Sequence, residues 1–451
     1  MSLFRPTSDP SRRDGRDESA SHATLKEAIM DSVSSVRDSL PEQHHEHFET
    51  LRQEIIDFAK AHDIPRESLS KPDALTQAAR KLSTSDLTQL ANLLERFEYL
   101  LKNKEPREEI SEAIEYAEEF YHLKKQYDLQ VELLTEVGIL ENGTILGIDG
   151  KRYSIPTLEQ ITVRLFERRE TLKTKYDQGF TKLLLVPFGM SLDALQETFK
   201  QFLLSYKQNN PTFDFDTNEP LWIGEGYQGA DTGDSPKLVY YPQSFTKESH
   251  GGKTKMEIFK EQTGRRWTPT SVGVAGGSGV GMAGESGAGT PGWTIHLLQP
   301  SDPTDSHSLG FALIPREGQG TPQGDLTPRP PFRERGDRPP LETNKTPMEY
   351  LSLLQFSQED ENSPYHNESG LTPENWIMAF MTHLSETGKL LDDVWNPANT
   401  ESYCYLTGAF FPFSTFVSGA CWNRGDRKVD LDGSRSRAQN GSIGVRTSVM
   451  I

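Results

Sequence analysis

The chain has 451 residues, a formal net charge of −18 at pH 7 and a hydrophobic content of 34%. This length predicts two or three domains, and the low hydrophobic content indicates that part of the chain is linker or loop. The acidic charge argues against a nucleic-acid-binding surface, whose affinity depends on neutralising phosphates with Lys and Arg.

No apolar run approaches the roughly 20 residues that span a bilayer, so we expect no membrane span. The first residues also lack the apolar core of a secretory signal. We therefore expect a soluble protein of the cytoplasm, with display on a cell surface or virion as the alternative. In the cytoplasm the two cysteines, Cys404 and Cys421, should stay reduced, although the sequence leaves a disulfide between them open.

Residues 1–24 are rich in Ser, Arg, Asp and Pro, a composition typical of disordered tails. From 25 to 136, apolar residues recur at spacings of three and four, which predicts amphipathic helices. One such stripe includes Leu90, Leu94 and Phe97. This helical region is either an arm for homo-oligomerisation or docking, or a plain helical domain, and both interpretations stay open.

Residues 137–155 predict a hairpin linker, because Asn142-Gly143 and Asp149-Gly150 are favourable turn pairs in which glycine accepts positive φ. Beyond the linker, Thr157-Leu-Glu-Gln160 matches a helix capping box. A short apolar strand over 181–188 and an amphipathic helix over 191–208 follow.

Residues 211–365 contain short apolar segments between long loops. Two tracts in this range predict flexible loops: 271–292 is rich in glycine, and 315–340 is rich in Pro, Arg and Gly. The first tract includes Gly276-Gly-Ser-Gly-Val-Gly281. A phosphate-binding loop needs a strand before it and a helix start after it, and the sequence predicts neither here.

Thr346 and Thr372, each followed by a proline, predict the N-caps of two further helices. Short strands are expected around 403–406, 420–422, 428–431 and 445–451. Runs of small, polar and charged residues separate these apolar anchors. The tail therefore combines a core strand with a polar display surface.

This tail resembles that of the variable proteins of diversity-generating retroelements. The matching features are the tryptophan turn Cys421-Trp-Asn-Arg424, the polar run through Ser442, and Gly444-Val-Arg446 before the final strand. In that family a reverse transcriptase rewrites adenine-coded positions at the 3′ end of one gene. The diversified residues lie on a C-type-lectin-type fold, which also underlies formylglycine-generating enzymes. The clear match covers roughly residues 371–451.

The resemblance implies an α+β chain with a C-type-lectin-type domain over 156–451, since such domains begin with a strand followed by a helix. A long insertion at about 211–365 would interrupt it, and the variable region would cover about 408–451. Gly444 and Arg446 would belong to the fixed scaffold. We expect the Arg446 guanidinium to tie the last strand to neighbouring carbonyl or carboxylate groups, because it donates several hydrogen bonds at once.

We therefore predict a surface that binds a protein or other macromolecular ligand, without catalysis, cofactor or metal. Aromatic anchors among adaptable polar side chains are typical of antibody-type binding surfaces. The predicted contact residues are Thr415, Phe416, Ser418, Trp422, Asn423, Arg424, Asp426, Lys428, Asp430, Asp432, Ser434, Ser436, Arg437, Gln439, Asn440 and Ser442.

The codon pattern agrees with diversification. Randomising the adenines of asparagine codons cannot produce Lys, Gln, Glu, Met or Trp. Between Arg424 and Ser442, only Lys428 and Gln439 fall outside the reachable set.

Two other functions remain open. One is a formylglycine-generating-type oxidase that uses Cys404 or Cys421, although the paired active-site cysteine motif of those enzymes is not seen. The other is a structural protein of a phage or cell surface with no variable role.

Overall fold

The computed structural model shows an α+β protein, as predicted. The predicted disordered tail 1–24 and most of the two predicted flexible tracts lie outside the described residues. The described residues are 36–62, 64–65, 82, 84–104, 108–233, 237–264, 290–302, 305, 307–315, 338–391 and 403–451.

The chain divides into two units. The first comprises Met1–Tyr116 with two later segments, Glu141–Thr144 and Ser154–Val163. The second comprises Ala117–Leu140, Ile145–Tyr153 and Arg164–Ile451.

The first unit is built on two packed helices, α1 (His45–Ala61) and α2 (Thr84–Asn103). Their core consists of buried apolar side chains from both helices, and Phe48 stacks on Phe97 with ring centroids 5.3 Å apart. The predicted apolar stripe of α2, which includes Leu90, is buried in this core. Homo-oligomerisation through this region stays a prediction.

The two predicted turn pairs of the linker form turns in the structure. Asn142 and Gly143 both have positive φ, and they close a two-residue turn in which Glu141 and Thr144 exchange backbone hydrogen bonds. Gly150, also at positive φ, lies between β1 (Thr144–Leu146) and β2 (Arg152–Ser154).

The predicted capping box is present at the start of the next helix. The Thr157 hydroxyl accepts from the Gln160 amide, and the Gln160 side chain accepts from the Thr157 amide. The helix α5 (Leu158–Glu167) starts there, after α3 (Glu108–Tyr121) and α4 (Leu123–Glu136).

The helix α4 belongs to the second unit, whereas the sequence assigns it to the helical region 25–136. Two of its glutamines bond to the strand β3 (Lys182–Val186). Gln130 donates to the Leu183 carbonyl and accepts from the Leu185 amide, both at 2.8 Å. Gln126 makes the same pair of bonds one turn earlier, to Thr181 and Leu183. The two side chains replace a neighbouring strand at the open edge of β3.

The second unit continues with three helices and three short strands. They are α6 (Arg169–Asp177), α7 (Leu192–Asn209) and α8 (Lys255–Gly264), with β4 (Leu221–Ile223), β5 (Val239–Tyr240) and β6 (Thr294–Leu298). As predicted, α7 follows β3 directly, and its N-cap is Ser191.

The C-terminal part of the second unit has two helices, each with its predicted cap. They are α9 (Pro347–Glu359), which starts from a Thr346–Glu349 capping box, and α10 (Pro373–Thr387), which is capped by Thr372. The strands are β7 (Glu368–Gly370), β8 (Tyr403–Phe411), β9 (Phe416–Asn423), β10 (Lys428–Arg435), β11 (Ile443–Val445) and β12 (Thr447–Met450).

These strands form two sheets that share the helix α10. One sheet has the order β3-β6-β12-β7, and all neighbouring strands are antiparallel. The other has the order β11-β8-β9-β10-β4, with β5 also paired to β8. The helix α10 packs against β3 of the first sheet and against β8 and β9 of the second. Its residues 373–384 are all buried, which makes α10 the centre of the core.

The range 211–365, predicted as an insertion, supplies strands to both sheets. β4 pairs with β10, β5 pairs with β8, and β6 lies between β3 and β12. Whether this range is an insertion relative to a family stays a prediction. In this molecule the strand-forming parts of the range belong to the scaffold.

A buried cluster of charged residues ties this range to the core. The Lys255 ammonium group lies 2.5 Å from Asp231 and 2.9 Å from Glu374, and it donates to the Met190 carbonyl at 2.8 Å. All three charged side chains are fully buried. Burial alone would lower the pKa of Lys255, but the two carboxylates outweigh it and raise the pKa. The lysine therefore stays charged inside the core.

A second buried cluster surrounds Glu368 on β7. The Arg338 guanidinium binds both carboxylate oxygens at 2.7 Å, and Lys175 binds one of them at 2.8 Å. Thr447 on β12 donates to the same carboxylate at 2.7 Å. Burial raises the pKa of Glu368, but Arg338 and Lys175 outweigh it, so the pKa is lowered. Arg338 lies in the tract 315–340, which the sequence predicts as flexible, yet its side chain is buried because this carboxylate holds it.

Removing the Glu368 charge should destabilise the second unit strongly. In Glu368→Gln, two buried cations lose their counterion, which costs about 3–5 kcal/mol of unfolding free energy. Urea denaturation would measure the change. The control is Glu361→Gln, an exposed carboxylate seven positions earlier, for which we expect a change within about 0.5 kcal/mol. Equal stability of the two variants would contradict this assignment.

His296 on β6 should make the second unit sensitive to acid. Its ring is fully buried between Thr294, Ser448 and Asn375, and burial lowers its pKa to about 3. The unfolded chain takes up this proton below about pH 6.5 and the folded chain does not, so stability is lost as pH falls.

Between pH 6.5 and 4.5, His296 should account for a loss of about 2–3 kcal/mol of unfolding free energy. Urea denaturation at both values would measure it, and His296→Gln should remove that part of the loss. His383, whose pKa is also lowered to about 3, first by burial and then by Arg446, should supply a loss that remains in the variant. An unchanged pH dependence in His296→Gln would count against this interpretation.

Candidate ligand-binding surface

The predicted contact residues are carried mainly by the antiparallel hairpin of β9 and β10. Lys428 pairs with Asn423 at one end of this hairpin, and Arg435 pairs with Phe416 at the other. Along β10, residues 428, 430, 432 and 434 are partly exposed, and they alternate with the buried Val429 and Leu431. This is the period of two that a strand imposes when one face is covered. The core therefore covers one face of β10 and leaves the other accessible, whereas residues 417–422 of β9 are buried on both faces.

Most of the predicted contact residues have accessible side chains. The exposed or half-buried members are Thr415, Phe416, Asn423, Arg424, Asp426, Lys428, Asp430, Asp432, Ser434, Ser436, Arg437, Gln439 and Asn440.

Three of the predicted contact residues, Ser418, Trp422 and Ser442, are buried and do not form an exposed contact surface. Ser418 is on the inward face of β9, where its hydroxyl bonds to the Tyr227 hydroxyl. Trp422 is only 4% exposed because the Phe215 ring stacks on it. Ser442 donates its hydroxyl hydrogen to the Asn440 side chain. Sequence reasoning selected these residues by type, and their burial depends on partners that are not adjacent in sequence.

The accessible residues fall into two patches at opposite ends of β10. The first, here the tip patch, surrounds the turn between β9 and β10 and consists of Asn423, Arg424, Asp426, Lys428 and Asp430. The second, here the loop patch, consists of Thr415, Phe416, Ser434, Ser436, Arg437, Gln439 and Asn440. Their nearest members on β10, Asp430 and Ser434, are four residues apart along the strand, roughly 13 Å. Asp432 lies between the two patches.

Asn423 organises the tip patch through its side-chain amide. It donates to Asp430 at 2.9 Å and to Asp426 at 3.3 Å, and its oxygen accepts from the Asp426 backbone amide at 3.0 Å. The other Asp430 oxygen is buried and has no hydrogen-bond partner among the described residues. Burial is the main cause that raises the pKa of Asp430. The tip is therefore a fixed turn with a partly desolvated carboxylate at its base.

A segment that the sequence did not suggest lies beside the tip patch. We call residues 211–220 the strap. Its Phe215 ring stacks on Trp422, with centroids 5.9 Å apart and an angle of 10° between the planes. Asp214 pairs with Arg427 at 2.9 Å, and Glu219 pairs with Lys428 at 2.6 Å. The only local signal was the alternating run Phe213-Asp-Phe-Asp216, which gives no indication of its partner.

The loop patch rests on the N-terminal end of α9. The Met348 backbone amide donates to the Ser436 carbonyl at 3.2 Å, and the Gln439 side chain donates to the Asn344 carbonyl at 2.8 Å. Tyr405 on β8 donates its hydroxyl to the Ala438 carbonyl at 3.0 Å. The loop is therefore held at several points although its side chains point outward.

The predicted scaffold residues make the contacts expected of a fixed framework. Arg446 donates to the Ala312 carbonyl, as predicted. A Cβ atom on Gly444 would lie 2.5 Å from the Ile314 side chain, so only glycine fits there without movement. Both residues hold the chain immediately before its last strand.

The two cysteines do not form a disulfide. Cys404 pairs with Ala420 across β8 and β9, so Cys404 and Ala420 point to the same face of the sheet. Cys421 follows Ala420 and points to the other face. This arrangement argues against the two thiols acting as a pair in oxidase chemistry.

Comparisons of the chain with known protein families, with curated proteins and with solved structures gave no match. Among the helices in the described ranges, none is sufficiently long and apolar to cross a bilayer.

The free energy of unfolding of two variants tests which of the predicted contact residues are buried and which are exposed. Trp422→Ala removes a buried ring from the Phe215 stack and should cost about 3–5 kcal/mol of unfolding free energy. Arg437→Ala, on the exposed loop patch, should change it by less than about 0.5 kcal/mol. Guanidinium denaturation of both variants would measure the difference. If both cost the same, the interpretation of Trp422 as a core residue is wrong.

Proposed function

We propose that this chain is a ligand-binding protein whose C-terminal surface is diversified by a retroelement to recognise varied macromolecular targets, without catalysis. The domain that carries this surface would be of the C-type-lectin type. The order of elements in the second unit supports that assignment: β3 leads into α7, the hairpin follows α10, and the last strand joins β3's sheet through β6.

The observation that carries the proposal is how burial is distributed in the tail. Positions predicted to vary lie mostly on the exposed face of β10, at the turn between β9 and β10 and on the loop patch, while the intervening Val429 and Leu431 are buried. A strand held by hydrogen bonds on both sides keeps its backbone when its outward side chains change. Such a surface tolerates many sequences on one scaffold, which a diversified binder requires.

The test is the DNA sequence that follows the gene. We expect an imperfect copy of the last forty or so codons in which asparagine codons occur at the variable positions. The mismatches should map to the tip and loop patches and spare Val429 and Leu431. Trp422, Lys428 and Gln439 should also be spared, because asparagine codons cannot give these residues. Without such a copy nearby in the genome, the diversification proposal fails.

A substitution library gives a second, protein-level test. Simultaneous randomisation of positions 430, 432 and 434 should leave most clones folded, as judged by soluble yield and thermal unfolding. The matched library at buried positions 429 and 431 should leave few folded clones, because each change alters a packed core. Equal tolerance in the two libraries would remove the structural support for the proposal.

A further inference from the structure

Three fully buried charged side chains meet at one point in the core of the second unit. Lys255 is the first residue of α8, Glu374 lies in the first turn of α10, and Asp231 lies between β4 and β5. The Lys255 Nζ atom is 2.5 Å from Asp231 Oδ2 and 2.9 Å from Glu374 Oε1. One amine nitrogen is therefore in contact with two carboxyl groups inside the protein.

Hydrogen bonding leaves one oxygen of each carboxylate unused. Asp231 Oδ2 also accepts from the Leu192 backbone amide at 2.8 Å, and Glu374 Oε1 also accepts from the Tyr240 hydroxyl at 2.6 Å. The other two oxygens, Asp231 Oδ1 and Glu374 Oε2, are buried and have no hydrogen-bond partner among the described residues. Buried polar atoms without a partner cost free energy, so these two oxygens call for an explanation beyond ion pairing.

We propose that Lys255 and Asp231 condense to form an intramolecular amide bond, with Glu374 as the group that transfers the protons. The Asp231 Cγ atom lies no more than about 3.7 Å from Nζ, because a carboxyl carbon is about 1.2 Å from its oxygen. Groups that a protein holds at roughly 3–3.5 Å react far faster than free groups in solution. The nucleophile and the electrophile are therefore close to a reactive distance.

The surroundings of the cluster favour this reaction. The centroids of the Phe188 and Tyr240 rings lie 5.2 and 5.5 Å from Lys255 Nζ. Burial disfavours charged groups relative to neutral ones, so it brings the free amine and the carboxylic acid closer in free energy to the ion pair than they are in water. Burial also excludes the water that would hydrolyse the product.

The reaction needs no reagent from outside the cluster. Burial opposes the charge of Lys255, but the two carboxylates outweigh it and raise the pKa, so the reaction starts from the ammonium form. The ammonium passes one proton to the Asp231 carboxylate, and the free Nζ then attacks Cγ to form the N–C bond.

Glu374 takes a second proton from the nitrogen and gives it to the departing Oδ1 hydroxyl of Asp231, which leaves as water when its C–O bond breaks. Oδ2 becomes the amide oxygen, and the Leu192 N–H stabilises the negative charge that forms on it. Glu374 ends as the carboxylate it was at the start. The ammonium and carboxylate have become one amide and one water molecule.

Two other buried ion pairs lack parts of this arrangement. Lys175 lies 2.8 Å from Glu368, but Arg338 binds both oxygens of that carboxylate and keeps it ionised, which makes it a poor electrophile. Lys182 lies 2.8 Å from Glu386, and no second carboxylate contacts Lys182 in the part of the chain that the structure describes. Both pairs should remain unlinked, so they serve as internal comparisons.

The bond would close residues 231–255 into a covalent ring. This ring contains β5, which pairs with β8. The inference goes beyond the proposed function and does not depend on it, because all three side chains lie outside the proposed variable region. Presence or absence of a genomic copy of the tail would leave it unaffected.

The experiment is mass spectrometry of the purified full chain, first intact and then after trypsin digestion. We expect the intact chain to be one water molecule lighter than its sequence. Trypsin does not cleave after an acylated lysine, so peptide 208–237 should be joined to peptide 254–260. Fragmentation of the joined pair should place the bond between Asp231 and Lys255. Peptide mapping is essential because an aspartate can also lose water by closing on its own backbone.

The test variant is Glu374→Gln, which keeps the side-chain shape and removes the proton acceptor. The linked form should fall from most of the wild-type protein to less than about a tenth, because proton transfer by a side chain typically contributes a hundredfold or more in rate. The matched control is Glu386→Gln, which removes another largely buried carboxylate bonded to a lysine and should leave the linked fraction unchanged. Thermal unfolding checks that both variants are folded.

Separate peptides 208–237 and 256–260 from the wild-type chain, with no joined pair, would overturn the proposal whatever the variants do. A bond from Lys255 to Glu374 would overturn the choice of Asp231 as electrophile. A folded Glu374→Gln variant with the wild-type linked fraction would overturn the role of Glu374. Loss of the link in both variants would also contradict that role, because it would not be specific to this carboxylate.

Discussion

The C-terminal part of the second unit depends on the ion pairs and hydrogen bonds of the buried Glu368 carboxylate. It lies in β7, and it is held from one side by Lys175 and Arg338 and from the other by Thr447 in β12. The final strand is therefore attached to its sheet by side-chain bonds as well as by its ladder. Three residues and one residue before that strand, Gly444 and Arg446 contact Ile314 and Ala312. Because these contacts fix the strand that follows the loop patch, changes on the outward face need not move the scaffold.

The strand β10 shows how one strand can separate exposed side chains from packed ones. Alternate residues of β10 face the core and the solvent, so packing energy and surface chemistry are assigned to different side chains. Turn geometry at the tip is set by Asn423 and the strap rather than by the exposed cations alone. The strap lies outside the proposed variable region, so its side chains would stay the same beside positions that are proposed to change.

Local features of this fold could be predicted from sequence because their causes lie within four residues. The caps at Thr157, Thr346 and Thr372 and the turn at Asn142 are examples. The burial of Trp422 could not be predicted, because it depends on Phe215, about two hundred positions away. The same is true of the strap, and of Arg338, whose partners are thirty or more positions distant. In the candidate site, residue type selected thirteen accessible side chains and three buried ones, and only tertiary structure distinguishes them and separates the tip patch from the loop patch.

The side chains of Gln126 and Gln130 have a consequence for how the protein behaves in concentrated solution. An uncovered strand edge carries unpaired backbone donors and acceptors that recruit strands from other molecules. Here two side-chain amide groups, spaced by one helical turn, bond to three backbone groups of β3 and to the carbonyl of Thr181 just before it. Helix α4 therefore blocks the addition of strands from other molecules at this edge of the sheet and so opposes fibril formation. Loss of these two side chains would create a template for intermolecular strand addition even where the folded monomer survives.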